Sequence, residues 1–252
     1  MSAAQTLPAS APELADAVSE GEYLRLLGLP RGRPLEGDLQ ERASGARSWY
    51  ASYGRPFVAT RRVALREVGP NSVVLETGDA LTSTVLADRF RAGEAHALLG
   101  LAASAGHEVA DETARLWTEG RPDEAFFLDR FAVAVTERLV FWASATVCRA
   151  CEPAKETLLP HLSPGCGHWD LADQHRLMAL LTGEDEGATL GPIRLLPSGA
   201  LHPQHSVLAA LGVTHRTYAP TPTDLCRSCD LDPCAFRRAP LTTQALRSQE
   251  TR

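Results

Sequence analysis

Cys226, Cys229 and Cys234 stand in the string CRSCDLDPC, a C-x2-C-x4-C spacing. Two thiolates three residues apart can reach one metal from a single tight turn, and a third nearby leaves one ligand to come from elsewhere. A soft thiolate set suits zinc or an iron–sulfur cluster, not magnesium or calcium. Two sources could complete it: Cys166, in the Gly-rich loop LSPGCG, or the pair Cys148 and Cys151, a second C-x2-C in CRACEPAKE. The competing reading is a set of ordinary small thiols. The Arg and Asp neighbours imply exposure, which suits plain thiols less well.

Other residues invite the same weighing. Glu137 and Arg138 interrupt an apolar helical pattern, so Glu137 is either the polar edge of a buried helix or a carboxylate facing a ligand. His202 and His205 are three apart, but Pro203 between them favours a loop and a structural role. His161, His168 and His175 recur every seven residues across a Pro/Gly break, so no single helical face follows. Lys155 is the only lysine, which leaves one candidate for Schiff-base chemistry.

All six cysteines and six of the eight histidines lie after residue 147. The first 147 residues therefore read as scaffold. A helix is expected from Ser10 to about Gly28 and a second over 35–53, followed by strands at 57–68 and 72–76 and a short helix over 81–90. The run AHALLGLAA, residues 95–103, suits a buried strand, and a helix to about Trp117 follows it. The longest helical pattern covers about 123–151, with Phe127, Phe131, Val135, Leu139 and Trp142 on a wide apolar face. Asp170 reads as the N-cap of a helix ending near Leu181, with Asp173 at its third position. Two more strands are expected at 193–196 and 206–211.

The chain has 252 residues, 44% hydrophobic and 22% charged, which excludes general disorder. A net charge of −6 disfavours nucleic-acid binding. No apolar run is expected to reach the ~18 residues that would suggest a membrane span. The first basic residue is Arg25, so no secretory signal is expected and a reducing cytoplasm fits the cysteines. Residues 1–12 read as a loose N-terminal arm, 13–216 as one domain and 217–252 as a Cys-rich metal-binding tail. Strands mixed with helices without regular alternation predict an α+β fold.

Four stretches carry a family resemblance. SPGCGHWDLADQHRLMALL, residues 163–181, resembles the Pro-Gly-Tyr loop and following helix of the reactivation domain of cobalamin-dependent methionine synthase, and more closely the stand-alone proteins related to that domain. EYLRLLGLPRG, AHALLGLAASAGHEVADETARLW and TLGPIRLLPSGALHPQHSVLAALGV agree with the family in order, and the clustered cysteines before Arg residues are similar to the ends of the stand-alone proteins. The resemblance spans about residues 20–238. It implies a mixed fold with a central antiparallel sheet flanked by helices. It also implies S-adenosylmethionine held beside a corrin, and support for the reductive methylation of cob(II)alamin. The cobalamin would be presented by a partner, a methionine synthase or other corrinoid protein, because this chain has no Asp-x-His-x-x-Gly run.

Carried over residue by residue, the ligand site would be Glu137, His161, Ser163, Pro164, Gly165 and Cys166. Glu137 would face the ligand's amino group, and the backbone of 163–165 would hydrogen-bond it. His161 stands where the family has Arg, and Cys166 where it has Tyr. The thiol freed at Cys166 could be the fourth metal ligand beside Cys226, Cys229 and Cys234. The C-x2-C-x4-C run also resembles part of the four-cysteine motif of corrinoid iron–sulfur proteins, which favours a [4Fe–4S] cluster over zinc. The alternative is a metal-binding interaction protein that keeps the fold without binding S-adenosylmethionine. The loop, with His168 and Trp169, is the expected wall of an exposed docking face. Ser163–Gly167 is expected in a groove bounded by Glu137 and the His202–Ser206 segment.

Overall fold

A computed structural model describes residues 4–29, 34–166, 168–183 and 189–217. Its centre is an antiparallel sheet built on β5, Ala97–Ser104, in which every residue is buried. Side chains alternate across a strand, so both faces of β5 must be covered. Ala97, Leu99, Leu101 and Ala103 join one core, and Leu98 and Ala102 join the other. Gly100 leaves room for α7, Asp173–Thr182: a Cβ there would sit 3.3 Å from Leu181 Cδ2.

The sheet order follows from hairpin-like neighbours. β2 (Phe57–Val68) and β10 (Ser206–Thr214) flank β5 along its whole length. β3 (Ser72–Leu75) and β4 (Ala80–Thr82) continue beyond β2, and β6 (Thr157–Leu158) closes the opposite edge beside β10. A separate small sheet runs β7 (Thr189–Leu190), β8 (Ile193–Leu195) and β9 (Leu201–His202). The fold is thus α+β, with an antiparallel sheet between helices.

One face of the sheet carries α1 (Ala11–Ala17), α2 (Glu20–Leu26), α3 (Asp38–Tyr53), α5 (Glu108–Thr118) and α6 (Pro122–Cys151). The other carries α4 (Thr84–Ala92), α7 and the small sheet. The stretch Pro122–Ala154 is long and apolar enough, by length and composition alone, to cross a membrane. Here one side of it serves the core: Phe131 is fully buried and meets Tyr23 and Tyr50 edge-on, at 5.1 and 5.9 Å between centroids, while Phe126 is exposed. Burying one such ring contributes about 1.5–3 kcal/mol.

Local capping redraws three expected boundaries. The helix expected over 10–28 is two, because Val18 is extended and Ser19 restarts the chain through a reciprocal capping box with Glu22. The helix expected over 81–90 begins at Thr84; Ser83 Oγ accepts the Leu86 N–H, and the residues before it pair as β4. Asp170 accepts the Ala172 N–H in a turn that precedes α7 and does not cap it. In the stretch read as an arm, Gln5 and Thr6 form β1, paired with Thr60 and Ala59 of β2.

Candidate functional site

The loop after β6 is fastened at both ends. At its start, Leu162 exchanges backbone hydrogen bonds with Ala210 in the middle of β10, at 2.9 and 2.8 Å. At its far end Trp169 is buried, 2% exposed, and its Nε1–H donates to Asp173 Oδ2 at 2.7 Å. The same carboxylate oxygen accepts the Thr82 N–H at 2.9 Å, and Arg176 pairs with the other oxygen. Asp173 therefore ties the loop, β4 and the first turn of α7 to one buried group.

Between these anchors the backbone turns on itself. Gly165 N–H donates to Trp169 O at 2.7 Å, and Cys166 N–H donates to Ser163 O at 3.1 Å. Gly165 has φ +89, a conformation an L side chain rarely adopts. A Cβ on Gly165 would meet Leu171, which also packs on Gly199, so the tip leans toward the start of α7 and the β8–β9 turn. Pro164 is buried, while Gly165, Cys166 and His168 are exposed. The expectation that Trp169 walls an exposed docking face is corrected: a buried indole needs a partner for its N–H, and Asp173 supplies one.

The other residues assigned to the ligand lie on or against α6. Glu137 is ion-paired with Arg25 of α2 at 2.8 Å, both side chains largely buried. One turn on, Phe141 meets the His161 ring edge-on at 6.0 Å. Thr136 Oγ1 donates to His205 O at 3.2 Å. The 136–141 turn of α6 thus touches both His161, next to the Leu162 anchor, and His205 of the 202–206 segment. An ammonium group approaching Glu137 would compete with the Arg25 guanidinium. The N–H groups of Gly165 and Cys166 are already spent inside the loop.

Of the thiolate set, Cys166 is exposed on the loop, whereas Cys226, Cys229 and Cys234 lie outside the described residues. Cys148 and Cys151 sit on the last turn of α6; burial pushes the Cys151 thiol up from its ordinary range, against the nearby Arg62 charge. His205 has the structural role expected: buried, with Nε2 3.0 Å from Asp129 Oδ1. That bond, helped by Arg130 and Gln204, holds the Asp129 carboxyl below the usual range despite its burial.

One group escaped sequence reasoning. His96 precedes β5, Glu156 precedes β6 and His215 follows β10. Antiparallel pairing brings the start of β5, the start of β6 and the end of β10 to one end of the sheet, where Val213 lies opposite both Ala97 and Leu158. His96 Nε2 lies 2.8 Å from Glu156 Oε1, and the His96 and His215 rings stack at 4.6 Å between centroids. Arg62 of β2 donates through both Nη atoms to Glu156, each at 2.7 Å. Hydrogen bonds from Arg62 first, then from His96, pull the Glu156 carboxyl down to about 2, against its burial. No spacing rule links residues 96, 156 and 215; only the strand order does.

No family model matches the chain, and no curated protein matches it. Solved structures do. The crystal structure of the MetH reactivation domain bound to AdoHcy matches with a TM-score of 0.61 at 14% identity, covering 86% of this chain and 80% of that one. At that identity the likeness is one of fold.

Proposed function

We propose that this chain is a reactivation or partner protein, cytoplasmic, for a cobalamin-dependent methionine synthase or other corrinoid protein. The observation that carries the reading is the shared fold, which extends over 86% of the chain and 80% of a reactivation domain crystallised with AdoHcy. S-adenosylmethionine would supply the methyl group, and the partner's cob(II)alamin would take it together with one electron. The work left to this chain is placement, which lets a bound methyl donor react without a bimolecular search. The Ser163–Cys166 turn suits that work, because it is fastened by the Leu162–Ala210 pairing and the Trp169–Asp173 bond while Gly165 and Cys166 stay exposed. In this proposal the body over 13–216 docks on the partner. The tail over 217–252 holds a [4Fe–4S] cluster or zinc through Cys226, Cys229 and Cys234, with Cys166 as fourth ligand.

A second reading has its own support. With Glu137 joined to Arg25, and His161 packed on Phe141 where an arginine would grip a carboxylate, the chain has fewer groups to hold an amino acid. That favours a metal-binding interaction protein which keeps the fold without S-adenosylmethionine. One experiment separates the two. A corrinoid partner in the cob(II)alamin state, S-adenosylmethionine and a one-electron donor are mixed with and without this protein, and methylcobalamin is followed by its absorption. Formation only when both proteins are present supports reactivation. Equal rates without this chain leave the interaction reading, which then predicts complex formation with no S-adenosylmethionine binding by calorimetry.

A further inference from the structure

We propose that His96, Glu156 and His215 form a binding site for a divalent metal of the zinc class, at the end of the sheet where β5, β6 and β10 meet. The three offer two imidazole nitrogens and a carboxylate oxygen, all within 4.8 Å of one another. Zinc bonds of ~2.0–2.1 Å in a tetrahedron need ligand atoms about 3.3 Å apart, so the His96 and His215 rings, now stacked within 12° of parallel, must leave that stack by side-chain rotations that aim both nitrogens at one ion. The burial pattern permits them: Glu156 is fixed and buried, while His96 is half-exposed and His215 exposed. Two imidazoles with one carboxylate select zinc and its neighbours over magnesium or calcium, whose ligands are oxygens. Three protein ligands leave a fourth position to water.

Arg62 fits this assignment as a supporting group. It donates to both Glu156 oxygens, and Nη2, which holds Oε1 on the side facing His96, also lies 3.3 Å from His96 Nε2. A metal on Oε1 would leave Oε2 to Arg62 Nη1. The guanidinium is rigid and planar, so the whole group, 44% exposed, would pivot about that bond to carry Nη2 away from Oε1. A carboxylate ligand oriented by a second hydrogen bond is the usual support for such a site. This proposal is independent of the loop and of any corrinoid partner.

The test uses the full chain with Cys226, Cys229 and Cys234 changed to Ser, so that tail thiols do not compete. Zinc is titrated by calorimetry with a competing chelator, and cobalt(II) by its visible d–d bands. One equivalent should bind, with cobalt bands showing nitrogen and oxygen ligation and no thiolate charge transfer. His215→Ala, at an exposed position, should keep the circular dichroism of the parent and weaken zinc at least tenfold. His96→Ala should do the same. No binding in excess zinc, or affinity unchanged in both histidine variants, overturns the proposal.

Discussion

Replacing Asp173 by Ala should loosen the loop that carries Ser163–Cys166, and its cost follows from three interactions. The carboxylate is 2% exposed. Its loss strands the indole N–H of Trp169, itself 2% exposed and unable to reach water. A buried donor bonded to a charged acceptor is worth about 1.5–3 kcal/mol. The Thr82 N–H belongs to an exposed residue and can rehydrate, so its share is about 1 kcal/mol. Arg176 is mostly exposed and adds about 0–1 kcal/mol. The sum is about 2.5–5 kcal/mol, a large part of a typical domain's ~5–15 kcal/mol. Urea unfolding followed by circular dichroism and tryptophan fluorescence measures it. Asp173→Asn keeps an amide oxygen for the indole, so midpoints should order wild type, then Asn, then Ala. A loss below about 1 kcal/mol in the Ala variant, or an Asn variant as unstable as Ala, would refute the claim that this carboxylate anchors the loop.

Acid should weaken the Arg62–Glu156–His96 cluster in a defined window. Glu156 titrates lower folded than unfolded, so its contribution is complete above the ordinary value of 4.5 and fades as pH falls from there to about 2. The shift amounts to about 2 kcal/mol after discounting for solvent at the half-exposed Arg62. The urea midpoint of Glu156→Gln should therefore change less between pH 7 and pH 3 than the parent's, and equal slopes would count against the pairing. Gly191→Ala should cost at least about 1–2 kcal/mol, because φ is +59 and a Cβ would stand 2.4 Å from the Phe57 ring; an unchanged thermal midpoint would contradict the packing. Phe131→Ala should lose about 3–5 kcal/mol in chemical denaturation, the cost of a cavity under α6 between Tyr23 and Tyr50; a loss under ~1 kcal/mol would place the core elsewhere.

What the sequence made legible depended on range. β5 was readable because a strand buried on both faces becomes a continuous apolar run, and α6 because its periodic face persists over many turns. Boundaries set by a single hydroxyl were not: Ser19 and Ser83 each start a helix inside a pattern that looks continuous. Trp169 misled for the opposite reason. Amid Pro and Gly it resembles an exposed aromatic, yet the Trp-x3-Asp spacing to Asp173 was the available signal. At four residues apart, across the entry to α7, the carboxylate reaches the indole N–H. The loop residues were named from residue type and resemblance. Their partners Arg25 and Phe141 were not, because a contact between α2 and α6, or between α6 and the loop, has no local trace.

β10 explains how groups late in the described chain meet those that earlier elements supply. The strand enters beside His205, whose ring is held by Asp129 of α6. At its middle Ala210 pairs with Leu162 and so fixes where the Ser163–Cys166 turn begins. It leaves at Thr214, and the next residue is His215 of the His96–Glu156 group. β5 binds it along one edge, while β6 and the loop share the other. A strand hydrogen-bonded on both sides cannot slip by one residue without turning its buried side chains to the wrong face. The loop and the sheet-end cluster are therefore held at a fixed spacing by one register. This is why the two sites can be tested separately by exposed side chains such as His215, whereas a change inside β10 would disturb both.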